Sequence, residues 1–295
     1  MSMIIRQLGP CFFGEVSGID LRQPLDAAQV AAIEAGMDRY AVLAFRGQQI
    51  DDAQQLAFTQ NFGALEDTDG GHVVRGADRR LPWQFADISN LDQQGAVLAA
   101  DDRRRMFNLG NQLWHSDSSF RPVPAKYSLL HARVVPGTGG DTQFADMRAA
   151  YDALDDEIRD EIEDLVCRHS LIFSRGKLGF DELSPEEQEL FRPVRQRLVR
   201  THPVSGRKSL YLSAHIGEIE GWPVPEARCF LAELNERATQ PSFTHTHKWR
   251  AGDLVMWDNR QVMHRARWYR DRGEVRDLRR TTIAGDAPTV EQQAA

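Results

Sequence analysis

The sequence predicts a mainly β fold with helical decorations, built as an antiparallel barrel or sandwich. Short runs of β-branched, aromatic and aliphatic residues recur between residues 127 and 283, and Gly- and Pro-containing turns separate them. Amphipathic helical patterns lie before and between these runs. No Gly-, Ser- or Pro-rich linker divides the 295 residues, so we predict one domain over 1–295.

The first elements can be predicted in chain order. Residues 26–39 place Val30, Ile33 and Met37 at the three-and-four spacing of an amphipathic helix. The sequence "AVLAFRGQ" predicts a short buried strand that ends at a glycine. The sequence "DDAQQLAFTQNFG" opens with acids and stops at a glycine, as a capped helix does.

Residues 66–110 are polar and irregular, apart from "WQFADIS", which predicts a loop and a strand. Long loops in compact domains often act as lids over binding sites. We therefore expect a substrate lid at about 66–110.

Helical patterns return at 147–166, 184–191 and 225–238, and Pro225 suits the first turn of the last helix. The remaining segments alternate or are continuously apolar and predict strands. They are "YSLLHARVV", "RHSLIFS", "RLVRTH", "KSLYLS", "SFTHTHKW", "DLVMWD", "QVMHRA" and "LRRTTI".

Composition and charge exclude several classes of protein. A net charge of −7 provides no basic field for nucleic acid, and no apolar run is long enough for a membrane helix. The apolar start of the chain is broken by Arg6, Gly9 and Pro10, short of a signal-peptide core. Three scattered cysteines without a CxxC pair argue against disulfides and thiolate zinc sites. We expect a cytoplasmic homo-oligomer without nucleic-acid or membrane partners.

The segment "NQLWHSDSSF" places His115 two residues before Asp117. In a strand, such residues point to the same side and could converge on one ion. His264, in "GDLVMWDNRQVMHRARW", is a third candidate ligand far downstream. Two histidines and a carboxylate fit the facial triad of non-haem iron oxygenases, which leaves three coordination positions open.

The segment "RDLRRTTI" alternates so that Arg276 and Arg280 face one side of a strand. Burying two guanidinium groups is unfavourable unless each meets an anion, and their fork geometry suits carboxylates. One arginine could bind the carboxylate of a co-substrate and the other the acid group of a substrate. The alternative is a solvated edge at which both arginines pair with surface acids.

Eight segments together resemble the taurine dioxygenase-like family of Fe(II)/2-oxoglutarate oxygenases, and within it the 2,4-dichlorophenoxyacetate dioxygenase branch. In chain order they are "FRGQ", "FGALE", "ADISN", "NQLWHSDSSF", "GGDTQFADMRAAYDAL", "RTHPVSGRKSLY", "GDLVMWDNRQVMHR" and "LRRTT". The segment "RHSLIFSRGKLG" is closer to the enzymes that cleave (S)-phenoxypropionates. The resemblance implies a double-stranded β-helix, the jelly-roll or cupin-like barrel.

The resemblance also implies roles at matching positions. The iron ligands, which are the catalytic set, would be His115, Asp117 and His264. Thr142 and Arg276 would bind 2-oxoglutarate. Substrate contacts would be Arg280, Asn111 and the backbone amide of Ser118, with His72 and Arg75 as further contacts in the lid.

One departure from the family's spacing concerns the arginines. His264 and Arg276 are twelve residues apart, one more than in the taurine branch, so Arg279 competes with Arg280 for the inward position. Strand alternation favours Arg280.

The implied activity uses Fe(II), 2-oxoglutarate and O2 to hydroxylate the carbon beside the carboxylate of an aryloxy acid, which cleaves the ether. The alternatives are the same chemistry on taurine, another sulfonate or a small carboxylate, and a non-catalytic acid-binding barrel. A hydrolytic zinc enzyme is disfavoured because the sequence lacks an HExxH helix. His245 and His247 are interpreted as an exposed strand face.

Overall fold

The structure is a computed structural model that describes residues 3–67 and 79–291. Within these ranges, fifteen strands form. They are β1 Ile4–Gln7, β2 Gly14–Ser17, β3 Val42–Phe45, β4 Ala86–Ser89, β5 Tyr127–Val134, β6 Thr142–Asp146, β7 Val166–His169, β8 Val194–Arg197, β9 Val199–Thr201, β10 Lys208–Leu210, β11 Ile216–Ile219, β12 Thr244–His247, β13 Leu254–Asp258, β14 Val262–Ala266 and β15 Asp277–Thr282.

Eight α-helices accompany the strands in the described part of the chain. They are α1 Ala27–Tyr40, α2 Asp52–Gln60, α3 Arg103–Asn108, α4 Met147–Asp152, α5 Asp156–Ile162, α6 Leu171–Gly176, α7 Pro185–Leu190 and α8 Val224–Ala238. None of these helices combines the length and the apolar character needed to cross a lipid bilayer.

Two sheets pack face to face across a shared apolar cluster. The larger one has the strand order β1-β2-β3-β13-β5-β15-β4 and is antiparallel except where β2 meets β3. The smaller one has the order β12-β6-β14. Phe144 and Val262 of the small sheet share an apolar cluster with Trp257 and Leu278 of the large sheet. The prediction of a mainly β fold with helical decorations is therefore confirmed.

Helices α1 and α2 cover the other face of the large sheet, where Ile33, Met37 and Phe58 pack on Leu43 and Met256. Both helices begin at an aspartate whose side chain accepts a hydrogen bond from the backbone three residues later, in a reciprocal capping box. The predictions for 26–39 and for the "DDAQQL" helix are confirmed.

Three local predictions were wrong, and each of them missed the start of a helix. Residues 66–110 are not irregular throughout, because Asp102 caps helix α3 by accepting from the backbone of Arg104. The segment 147–166 is two helices, because Asp155 is extended and starts a second one. The segment "RHSLIFS" is a strand only as far as His169, since the side chain of Ser170 caps helix α6.

Candidate metal centre and active site

A backbone bridge brings two distant histidines together. The amide of His115 donates to the carbonyl of His264 at 2.9 Å, and the amide of His264 donates to the carbonyl of His115 at 2.8 Å. Their imidazole rings lie 4.2 Å apart between centroids. Residues 113–117 do not form the predicted strand, because pairing is limited to this isolated bridge and a turn follows it.

The turn directs the carboxylate of Asp117 toward the same point. Ser118 adopts a left-handed backbone conformation with φ 54°. The amide of Asp117 donates to Oδ1 of Asn259 at 3.1 Å, while Nδ2 of Asn259 donates to Oγ of Ser128 at 2.9 Å. Ser128 in turn donates to Oδ2 of Asp117 at 2.8 Å. The buried side-chain amide of Asn259 therefore supports the backbone of Asp117 directly and its carboxylate through Ser128.

His115, Asp117 and His264 form a buried cluster whose ligand atoms all lie within 4.8 Å of one another. Nδ1 of His115 donates a hydrogen bond to the carbonyl of Leu113 at 2.7 Å, so the proton of the ring is on Nδ1 and Nε2 keeps its lone pair. Nε2 of His115 is 3.8 Å, and Nε2 of His264 is 3.7 Å, from the carboxylate of Asp117. Two imidazole nitrogens and one carboxylate, all on one side, suit a divalent iron ion.

The protonation states of the cluster also suit a metal. Burial lowers the pKa of both His115 and His264 below 6.5, so both rings are neutral at pH 7. Burial by itself raises the pKa of Asp117, but the adjacent Arg280 guanidinium, the rings of His264 and His115 and the hydroxyl of Ser128 together outweigh it, and the pKa falls to about 2. The site thus presents two neutral imidazoles and one carboxylate.

Arg280 and Arg279 point to opposite sides of strand β15. Nη1 of Arg280 donates to Oδ1 of Asp117. Arg279 instead pairs with Asp52, on helix α2, and with Asp277. The additional residue between His264 and Arg276 therefore leaves Arg280, and not Arg279, beside the metal ligands.

Arg276 is buried with only 4% of its surface exposed, and no carboxylate within the described ranges forms an ion pair with it. Its Nη1 and Nη2 donate to the carbonyls of Ile88 and Gly140, at 3.1 and 3.4 Å, while its Nε has no hydrogen-bond partner. A buried guanidinium with an unused donor is well suited to an anionic ligand.

Of the other predicted contacts, the structure places Thr142 and Asn111. Thr142 opens strand β6, and its hydroxyl accepts from Nε1 of Trp249 at 3.0 Å. Asn111 lines the same cavity as Arg276 and Tyr269. His72 and Arg75 lie outside the described residues, so the structure places neither of them.

Sequence reasoning missed the side-chain partner of Ser118. Its hydroxyl donates to Oε2 of Glu66 at 2.7 Å, and burial raises the pKa of that carboxyl group. The only signal was that Glu66 ends the family-like segment "FGALE", immediately before the lid. His215 was also given no role, although its ring lies 5.9 Å from that of His115.

Comparisons with known proteins identify the family of the chain. Residues 4–282 match the family profile described as taurine catabolism dioxygenase TauD, TfdA family. The α-ketoglutarate-dependent 2,4-dichlorophenoxyacetate dioxygenase of Cupriavidus pinatubonensis is 48% identical, over 97% of this chain and 99% of the relative. The (S)-phenoxypropionate/α-ketoglutarate dioxygenase of Delftia acidovorans is 38% identical, over 89% of this chain and 88% of the relative.

Solved structures give the same result. The crystal structure of AAD-2 in complex with Mn(II) and N-oxalylglycine superposes with a TM-score of 0.96 at 60% identity, covering 98% of this chain and 100% of that one. A taurine dioxygenase from Burkholderia xenovorans superposes with a TM-score of 0.77 at 30% identity, covering 98% and 93% of the two chains. By sequence, by fold and by the matched residues, the chain belongs to the taurine catabolism dioxygenase TauD, TfdA family.

Proposed function

We propose that this protein is an Fe(II)- and 2-oxoglutarate-dependent dioxygenase that hydroxylates the carbon next to the carboxylate of a phenoxyalkanoic acid such as 2,4-dichlorophenoxyacetate. The observation that carries the proposal is the buried His115–Asp117–His264 cluster with Arg280 beside it. The named activity of relatives that are 48% identical over almost the whole chain supports the substrate class.

The bound iron and 2-oxoglutarate supply the oxidation: one atom of O2 enters succinate as CO2 leaves, and the other enters the substrate as a hydroxyl group. Hydroxylation beside the ether oxygen gives a hemiacetal. The hemiacetal collapses to a phenol and a 2-oxo acid, which is glyoxylate when the substrate is a phenoxyacetate. The ether is thus cleaved without hydrolysis.

The residues of the chain bind and orient the reactants. His115, Asp117 and His264 would hold the metal, which would bring co-substrate and oxygen together. Arg276 and Thr142 bind the distal carboxylate of 2-oxoglutarate. Arg280, which contacts the carboxylate of Asp117 in the metal-free site, would bind the acid group of the substrate and fix the distance to the reacting carbon.

The remaining assignments follow from the same proposal. We assign the whole chain, 1–295, to one jelly-roll domain, in which the sheets β1-β2-β3-β13-β5-β15-β4 and β12-β6-β14 are the two halves of a double-stranded β-helix. Residues 66–110 form the substrate lid, with Asn111, the Ser118 amide, His72 and Arg75 as further substrate contacts. The enzyme is a cytoplasmic homo-oligomer.

A substrate panel tests the proposal. The Fe(II)-loaded protein is incubated with 2-oxoglutarate, O2 and one of four acids: phenoxyacetate, (R)-phenoxypropionate, (S)-phenoxypropionate or taurine. We expect the phenoxy acids to stimulate succinate formation and to release a stoichiometric amount of phenol. Stimulation by taurine alone would reassign the substrate, and an absence of succinate with every acid would refute the oxygenase assignment.

A further inference from the structure

The hydroxyl group of Thr142 has a proton that the protein leaves unused. Thr142 is 3% exposed, and its hydroxyl oxygen accepts from Nε1 of Trp249 at 3.0 Å. An indole N–H only donates, so the hydroxyl proton cannot be directed to Trp249. No other group in the described part of the chain forms a hydrogen bond with this hydroxyl. A buried donor without an acceptor is unfavourable, and a ligand that accepts from it removes that penalty.

Arg276 presents a second unused donor beside the same end of strand β6. Its Nη2 donates to the carbonyl of Gly140, two residues before Thr142, at 3.4 Å. A Cβ built on Gly140 would lie 3.5 Å from Nε of Arg276, which has no hydrogen-bond partner. The guanidinium therefore lies against the turn that leads into the strand. A hydroxyl and a guanidinium, each with a free donor, suit the two oxygens of one carboxylate.

The main chain fixes the position of Thr142. Strand β6 lies between β12 and β14, and Thr142 pairs with His247 of β12 on one side and with Ala266 of β14 on the other. Trp249 follows the last residue of β12 by two positions. The strand that pairs with Thr142 thus also brings the indole to its hydroxyl.

The indole of Trp249 is held in turn by its own neighbours. The ring of His247 packs edge-on against it, with 4.5 Å between centroids, and Nε2 of His247 lies 3.4 Å from the carboxylate of Asp253. Nη1 of Arg46 pairs with the same carboxylate and also donates to the carbonyl of Lys248 at 3.0 Å. Because the ring and the preceding residue are both held, the indole N–H keeps its direction toward Thr142.

We propose that Trp249 is a positioning residue of the 2-oxoglutarate site. Its indole N–H occupies the oxygen of the Thr142 hydroxyl, and this leaves the hydroxyl proton to be donated to the distal carboxylate of 2-oxoglutarate. The inference rests on the proposed function, which assigns that carboxylate to Thr142 and Arg276. Accepting from Trp249 also polarises the hydroxyl and makes it a stronger donor. Without the indole N–H, the hydroxyl is free to rotate and its donor direction is no longer set.

A double-mutant cycle tests whether Trp249 acts through the hydroxyl of Thr142. Calorimetry measures the Kd of 2-oxoglutarate for the full-length, Mn(II)-loaded protein. Thr142→Val removes the hydroxyl but keeps the shape, and should raise the Kd about tenfold because a hydrogen bond to a charged group is lost. Trp249→Phe removes only the group that directs the hydroxyl, and should raise the Kd about threefold. The double variant should match Thr142→Val at about tenfold, whereas independent effects would multiply to about thirtyfold and overturn the inference.

A second ligand shows whether the effect depends on the distal carboxylate. The compound 2-oxovalerate has the same 2-oxo acid group as 2-oxoglutarate but no second carboxylate. We expect wild type and Trp249→Phe to bind it with the same Kd, because the hydroxyl of Thr142 then has no anion to contact. Equal weakening of both ligands in Trp249→Phe would indicate general damage to the site and would overturn the inference.

The hydrogen bond itself can be followed by NMR. In ¹H–¹⁵N spectra of the Zn(II)-loaded protein, the indole signal of Trp249 is assigned by its loss in Trp249→Phe. We expect the indole proton to shift downfield when 2-oxoglutarate is added, since a hydroxyl that donates to an anion becomes a stronger acceptor. The shift should be absent in Thr142→Val and with 2-oxovalerate. An indole signal that does not respond to 2-oxoglutarate in the wild-type protein overturns the inference.

Matched controls separate positioning from loss of packing. Trp222→Phe removes an indole that packs on Phe230 and donates no hydrogen bond within the described ranges, and should leave the Kd unchanged. Thr142→Ser keeps the hydroxyl, so its Kd should stay within about twofold of wild type and remain sensitive to Trp249→Phe. A folded Trp249→Phe with a wild-type Kd, beside a weakened Thr142→Val, overturns the inference alone. A wild-type Kd in Thr142→Val refutes the proposed role of Thr142 in binding 2-oxoglutarate, together with the inference.

Discussion

His131 should make the stability of the fold depend on pH. Its Nε2 lies 2.7 Å from the carbonyl of Gln48, to which the neutral ring donates, and its Nδ1 is buried without a partner. Protonation would place a second N–H where nothing accepts it. Burial accordingly lowers the pKa of His131 from 6.5 to about 4, although the bond to Gln48 acts in the opposite direction.

The magnitude follows from these two pKa values. The ordinary pKa of 6.5 and the folded-state pKa of about 4 differ by about 2.5. Each whole unit corresponds to about 1.36 kcal/mol, so His131 contributes at most about 3 kcal/mol to the free energy of unfolding. Because the folded-state pKa is the lower one, the unfolded chain binds the proton more readily. This stability is fully present above pH 6.5 and is lost as the pH falls from 6.5 toward 4.

Urea unfolding at several pH values between 7 and 4.5 measures the effect. His131→Gln should be less stable than wild type at pH 7, and the difference should shrink by about 2 to 3 kcal/mol as the pH falls to 4.5, because only the wild type loses the contribution. Leu129→Ala, on the same strand, lacks a titrating group and should show a constant difference. A constant difference for His131→Gln as well would show that burial of this ring does not oppose its protonation.

Three further predictions concern the active site. His115→Ala should abolish succinate formation and weaken Co(II) binding measured by absorption titration; unchanged succinate formation would remove this residue from the metal site. Arg276→Met should raise the Kd for 2-oxoglutarate about a hundredfold by calorimetry, since charge-assisted hydrogen bonds are lost, and a change below threefold would contradict the assigned role. Arg280→Met should raise the KM for phenoxyacetate at least tenfold, whereas Arg279→Met, the matched control, should leave it unchanged; the opposite result would mean that the neighbouring arginine binds the substrate.

Most strands of the two main sheets could be predicted because their side chains alternate or are continuously apolar, whereas β1, β2 and β6 were not predicted. Strands β5, β13, β14 and β15 all lie within segments that the sequence marks as β-type. The hydrophobic pattern could not predict the strand and helix ends that capping side chains set. Whether Ser170 continues a strand or caps a helix depends on where its hydroxyl points, and periodicity carries no information about that.

The candidate site, too, could be predicted only in part from the sequence. Spacing brought His115 and Asp117 together for the wrong reason, since a bridge and a turn, rather than a strand, make them converge. His247 was interpreted as part of an exposed face, yet it is fully buried, and its Nε2 lies 3.4 Å from the carboxylate of Asp253. Pairs that join distant parts of the chain, such as Glu66 with Ser118, leave no local pattern in the sequence.

The reciprocal amide bonds between His115 and His264 have a consequence for metal selectivity. Main-chain pairing sets the separation of the two imidazoles, and two imidazoles with one carboxylate are a donor set that several divalent ions accept. Divalent cobalt, nickel, copper and zinc bind nitrogen and oxygen donors more tightly than ferrous iron does. Loading of the site with ferrous iron is therefore governed by which divalent ions the medium supplies. Trace amounts of the competing ions would inactivate an otherwise intact enzyme.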